Sequence, residues 1–168
     1  MTEWNGRRIL KELADADRRK RILSAFWRHG DANTKAMALV QLAKALHFRD
    51  ETLRKMTLDK KADLLASRAA SPEFEQAIET ALMLYHTHEV NKMLAAFLDR
   101  WGVPHVNGSI ETDEYKTPSA DDVRSAVREL DEYDRRDVAI YLASAGLLMG
   151  GEWRDATWPV VEELRTED

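Results

Sequence analysis

The placement of glycine and proline most narrows what this chain can fold into. There are 7 glycines and 4 prolines in 168 residues, and most stand where an apolar pattern of helical period stops. A residue lacking a Cβ or a backbone N–H interrupts a helix, so stretches free of both are stretches a helix can occupy. Residues 4–14 place Ile9, Leu10 and Leu13 at helical spacing, and 17–29 put Ile22, Leu23, Phe26 and Trp27 on one stripe before Gly30. Between them, four cations in "DADRRKR" would oppose the dipole of a new helix, which favours one continuous helix there. Ala36, Leu39, Val40, Ala43 and Leu46 mark a helix over 32–47, and Leu58, Ala62, Leu65 and Ala69 mark another over 58–69 with Thr57 as N-cap. Ser71-Pro72-Glu73 is a start signal for a long helix that runs to Trp101 and stops at Gly102, with Pro104 beyond.

Residues 103–118 are the one extended non-helical stretch, and Asn107-Gly108 inside it suits a two-residue hairpin loop between Val106 and Ile110. Ser119-Ala120-Asp121-Asp122 approximates a capping box for the next helix. Asp134 starts another that ends at Gly150-Gly151, and Thr157-Trp158-Pro159 opens a short last one. The expected fold is all-α, a compact multi-helix domain of about seven or eight helices, with a tiny β-hairpin near 105–111. Residues 1–168 are expected to form a single helical domain, with sub-lobes 1–102 and 119–168 joined by the 103–118 linker. The last sub-lobe, about 50 residues, is too small to be stable by itself and is expected to dock on the first.

An apolar fraction of 44% and a charged fraction of 33% are globular in composition. The absence of cysteine removes disulfides, thiolate metal sites and cysteine nucleophiles. There is no Gly-rich phosphate loop, no Gly-x-Ser-x-Gly elbow and no lipid-attachment signal, so the motifs imply no cofactor and no catalytic class. The N-terminus turns charged at once and has no apolar signal core. The longest uncharged stretch, 138–151, falls short of the roughly 20 residues of a membrane helix. A cytoplasmic protein with no membrane partner is expected.

The net charge of −5 hides a polarity. Residues 1–68 hold 16 Lys and Arg against 9 Asp and Glu, a net of +7, whereas 69–168 hold 9 against 21, a net of −12. Such halves present a basic face to an anion or match each other across lobes or subunits.

The stretch "LMLYHTHEVNK" (82–92) groups His86, His88 and Glu89. On a helix His86 and His88 point about 160° apart and cannot share a metal. The established paired-metal pattern, Glu-x-x-His on two helices, is also absent. The apolar face of this helix swings by about 150° around 83–89, from Phe74, Ile78, Ala81 and Tyr85 to Val90, Leu94, Phe97 and Trp101. The histidines therefore read first as a kink or central turn and second as a metal or acid–base site built on His86 and Glu89.

The leading functional expectation is a non-enzymatic protein-interaction module that uses the 103–118 loop and the tryptophan-bearing tail. Its candidate partner-binding residues are Trp153, Trp158 and His105, and its partner is another protein or a second copy of the chain. An alternative is nucleic-acid binding through Arg7, Arg8, Lys11, Arg18, Arg19, Lys20 and Arg21, with Trp4 and Trp27 nearby to stack bases. A second alternative is a metal-dependent enzyme using His86 and Glu89.

Overall fold

A computed structural model describes residues 3–167. The described residues form ten α-helices, one 3-10 turn and one π turn, with no strand. The class is all-α as expected, with slightly more helices than the apolar pattern suggested. No helix among them is long and apolar enough to cross a membrane. Two compact units are distinguishable, Gly6–His88 and the chain from Glu89 onward with Trp4 and Asn5.

The first unit holds α1 (Gly6–Glu12), α2 (Ala16–His29), α3 (Ala32–Leu46), α4 (Asp50–Arg54), α5 (Leu58–Ser67) and α6 (Glu75–Leu84). The sequence favoured one helix over 4–29, but the chain breaks between α1 and α2. Asp15 is the reason: its carboxylate accepts from the Arg18 amide at 2.8 Å and pairs with the Arg18 guanidinium at 2.7 Å. One acidic cap thereby offsets the cations that seemed to forbid a helix start. The apolar stripe of α2 packs on α5 and α6, burying Ile22, Leu23, Phe26, Leu65, Ile78 and Leu82 completely. Each such side chain contributes about 1.5–3 kcal/mol on removal from water. Glu75 joins α1 to α6 by accepting from the Gly6 and Arg7 amides and from the Arg7 guanidinium.

After α6 the chain enters the π turn, Tyr85–Glu89, and breaks again at Val90 before α7 (Asn91–Trp101). The wider turn changes the register of the side chains, which is the physical basis of the swing in apolar face. It also marks the division between the two units, which falls between His88 and Glu89.

The second unit holds α7, α8 (Ala120–Glu129), α9 (Arg135–Met149) and α10 (Gly151–Thr166). Thr157-Trp158-Pro159 does not open the last helix. α10 begins at Gly151 and carries Pro159 inside it. The proline leaves the Asp155 carbonyl without its helical donor, and burial of Trp153, Trp158, Val160 and Val161 against the unit's core holds the helix through it. α9 and α10 lie against each other, and Gly146 allows the approach: a Cβ there would sit 2.3 Å from Trp158 Nε1. Trp158 Nε1 donates to the Ala143 carbonyl at 3.2 Å. The expected hairpin near 105–111 reduces to a single bridge between Val106 and Ser109, closed by Asn107 and Gly108 at φ 51° and 88°.

Candidate interaction groove

The 103–118 segment has no regular structure beyond that bridge, yet it is tied down along its length. Trp153, from the first turn of α10, forms a small core with Leu98 and Val103, on which Trp101, Ile110 and Tyr115 pack. Trp153 Nε1 donates to the Tyr115 hydroxyl at 3.1 Å, so the tryptophan anchors the segment through a polar as well as an apolar contact. Trp101 Nε1 donates to the Asp122 carbonyl at 3.2 Å, which links α7 to α8.

At its other end the segment runs into the start of α8. Ser119 Oγ accepts from the Asp122 amide at 3.1 Å while Asp122 accepts from the Ser119 amide at 2.9 Å, completing the capping box. The Ser119 amide, donating into the carboxylate, holds the Asp122 carboxyl below its usual range. Pro118 is buried and Ser119 is extended, at φ −81° and ψ 169°. A residue before proline avoids the helical region, so Thr117 is held out of helix as well.

Between this stretch and the first turns of α10 lies an open groove of about 400 Å³, within the range of ligand pockets. One wall is Tyr115–Ala120, and the other is Glu152, Asp155 and Ala156. Glu152 and Asp155 are exposed and make no ion pair or hydrogen bond among the described residues. The same holds for the side chains of Glu111, Asp113, Glu114, Asp131 and Glu132, whereas several other acids of this unit are engaged. Asp121 and Glu163 meet Arg124 at 2.8 and 2.7 Å, Glu129 meets Arg100, and Glu162 meets Arg165 at 3.3 Å. Arg154, the cation between Glu152 and Asp155 in sequence, faces elsewhere: its Nε donates to the Gly146 carbonyl at 3.3 Å and its guanidinium lies 4.9 Å from the Trp158 ring centroid.

None of the residues singled out from sequence as partner-binding lines this groove. Trp153 and Trp158 are 4% and 3% exposed, too buried to enter a partner's pocket. His105 serves the hairpin loop. Its Nδ1 accepts from the Gly108 amide at 3.0 Å, so Nε2 carries the proton and donates to the Asp99 carboxylate at 2.6 Å. Lys116, Thr117, Glu152 and Asp155 were missed, because their convergence depends on how the loop lies against α10.

The basic set lies mostly within the first unit's own ion pairs. Arg7 meets Glu75 at 3.0 Å, Arg8 meets Glu12, Arg18 meets Asp15, and Lys20 reaches Asp59 at 3.0 Å and Asp63 at 3.8 Å. Lys11, Arg19 and Arg21 have no such partner among the described residues. Trp4 and Trp27 are buried, so neither presents a face on which a base can stack. The charge polarity nevertheless follows the structural division: Gly6–His88 holds 16 Lys and Arg against 11 Asp and Glu, a net of +5, and the remainder holds 9 against 19, a net of −10.

In the π turn the two histidines separate as helical geometry requires. His86 is 4% exposed and its Nδ1 donates to the Leu82 carbonyl at 2.7 Å. His88 is exposed and stacks on His29, ring centroids 4.4 Å apart and planes within 8°. Glu89 is exposed, and Glu79 on α6 is pushed up by burial and by the Glu75 charge. Among the described residues no group of three or more histidine, aspartate or glutamate side chains is arranged to hold a metal ion. No family model matches the chain, and neither a curated protein nor a solved structure does.

Proposed function

We propose that this chain is a cytoplasmic, non-enzymatic interaction module that holds a segment of another protein in the groove between Tyr115–Ala120 and α10. The supporting observation is that the groove's loop wall is fixed at both ends, by the Trp153–Tyr115 hydrogen bond and by the α8 capping box. A wall ordered in advance loses little conformational freedom on association, and that freedom is a main opposing term in binding. Trp153 and Trp158 serve this reading as buried supports of the wall. The test is site-specific photo-crosslinking in cells, with benzoylphenylalanine in place of Thr117 or, as a distant control, in place of the exposed Asp17. A discrete adduct at position 117 and none at 17 is expected; equal labelling at both, or none at either, refutes the reading.

A second reading rests on the +5 charge of Gly6–His88 and its uncommitted Lys11, Arg19 and Arg21. Three phosphate contacts would give a log K against log salt slope of about −2.7 on duplex DNA. Filter binding without retention at low salt removes this reading.

A further inference from the structure

Part of the apolar stripe that marks α3 in the sequence stays outside the core. Leu39 and Ala43 are buried, but Ala36 and Val40 face solvent, with Ala32 and Met37 beside them. Met37 is 68% exposed and Val40 54%. At about 100° per residue, Ala36, Val40, Lys44 and Met37 fall within about 100° of arc, so they form one face. Lys44 is the one charge among the exposed residues of α3, whereas α2 exposes Asp17, Arg21 and Arg28. Phe48, just past the helix, is exposed as well. An apolar side chain exposed singly is ordinary, but a contiguous set with charge around it marks an interaction surface.

The flanking charge decides the occupant. Residues 32–49 hold Lys35, Lys44, His47 and Arg49 and no acid. Lys44 and Arg49 are exposed and make no ion pair among the described residues. Two copies of this face laid on each other would gather cations with nothing to offset them, which opposes an α3-to-α3 contact. The complementary surface belongs to the chain's own acidic unit, of net charge −10, where Leu148 and Met149 stand exposed at the end of α9. We propose that α3 docks on the acidic unit of a second copy of this chain, with Met37, Val40 and Phe48 against Leu148 and Met149. Apolar side chains are then covered on both copies while charges of opposite sign surround them. The contact joins two different surfaces and is therefore heterologous. With 15 residues, α3 rises about 22 Å, a short face beside the roughly 800 Å² that each partner of a stable complex covers. The association is accordingly one of high concentration and low salt.

The test is light scattering of the full chain across concentration and salt, with the variants M37S/V40S and L148S/M149S, each checked for native circular dichroism. The unaltered chain is expected to gain mass with concentration and to return to a single chain in high salt. Each variant alone is expected to associate at least about tenfold more weakly. An equimolar mixture of the two variants is expected to regain association, because one supplies an intact α9 patch and the other an intact α3 face. Benzoylphenylalanine in place of Gln41, one turn from Met37, is expected to crosslink unlabelled to isotope-labelled chains, with adducts mapping to residues 89–168. A chain that stays single at every concentration, or association indifferent to salt, would overturn the proposal. So would a mixture that fails to recover, or a loss confined to M37S/V40S. Adducts on residues 32–49 of the second copy would make the contact α3 on α3, and adducts within one chain would make it internal; either result overturns the assignment.

Discussion

Replacing Gly146 by alanine tests the packing on which the groove's α10 wall depends. In an exposed helix the change would stabilise by about 1 kcal/mol, because alanine is the better helix former. Here the new Cβ meets Trp158 Nε1 at 2.3 Å, Trp158 Cδ1 at 2.6 Å and Thr157 Oγ1 at 2.7 Å. The Trp158 indole is 3% exposed and cannot swing into solvent, so α9 and α10 must separate or the ring must leave its rotamer. Overpacking of this kind costs about 1–3 kcal/mol. A displaced ring also loses the 3.2 Å hydrogen bond from Nε1 to the Ala143 carbonyl, and a buried donor left unsatisfied costs about 1–3 kcal/mol more. Net of propensity, G146A should destabilise by about 1–5 kcal/mol. The assay is urea unfolding followed by tryptophan fluorescence and circular dichroism. Gly102→Ala is the companion: it has nothing within 4 Å but stands at φ +70°, so it should lose about 1 kcal/mol from backbone strain alone. A neutral or stabilised G146A would refute the close approach of α9 and α10 and, with it, the position of Glu152 and Asp155.

Trp153→Phe should retain most of the packing with Leu98 and Val103 but lose the hydrogen bond to Tyr115, lowering stability by about 1–2 kcal/mol and speeding amide exchange over residues 110–118; unchanged exchange there would show that the tie does not hold the loop. Burial pushes the Tyr141 phenol up, so the folded state keeps the proton while the unfolded state loses it above about pH 10. Stability should therefore be full below that pH and fall above it, and Y141F should flatten this alkaline limb; an identical limb in the variant would remove Tyr141 as its cause.

Much of the helical framework was legible because its signals are local. Thr57, Ser119 and Asp134 cap the helices their side-chain chemistry suits, and Gly102 ends α7 in the left-handed region. The two misread junctions are places where a local rule lost to a neighbour. Asp15 offset the cations of "DADRRKR", and buried tryptophans carried α10 through Pro159. The change of apolar face at 83–89 was visible as a phase shift, since a side-chain stripe records the register of its backbone, but its form as a π turn was not. Trp153 and Trp158, candidates for partner binding from the sequence, are buried supports, because a tryptophan's number in the chain says nothing of which side of its helix meets the core.

By itself the sequence determined the all-α class, most helix ends, the charge polarity and the point at which the longest helix changes face, since each depends on capping, periodicity or composition within a few turns. Only the tertiary structure decided which acids find a cation and which do not. Arg124, Arg100 and Arg165 reach their carboxylates, while Arg154 turns to Gly146 and Trp158 and leaves Glu152 and Asp155 open to the groove. That outcome follows from the packing of α10 on α9 and from the path of a loop tens of residues away, and side-chain partners set by such distant segments leave no periodic trace in the chain.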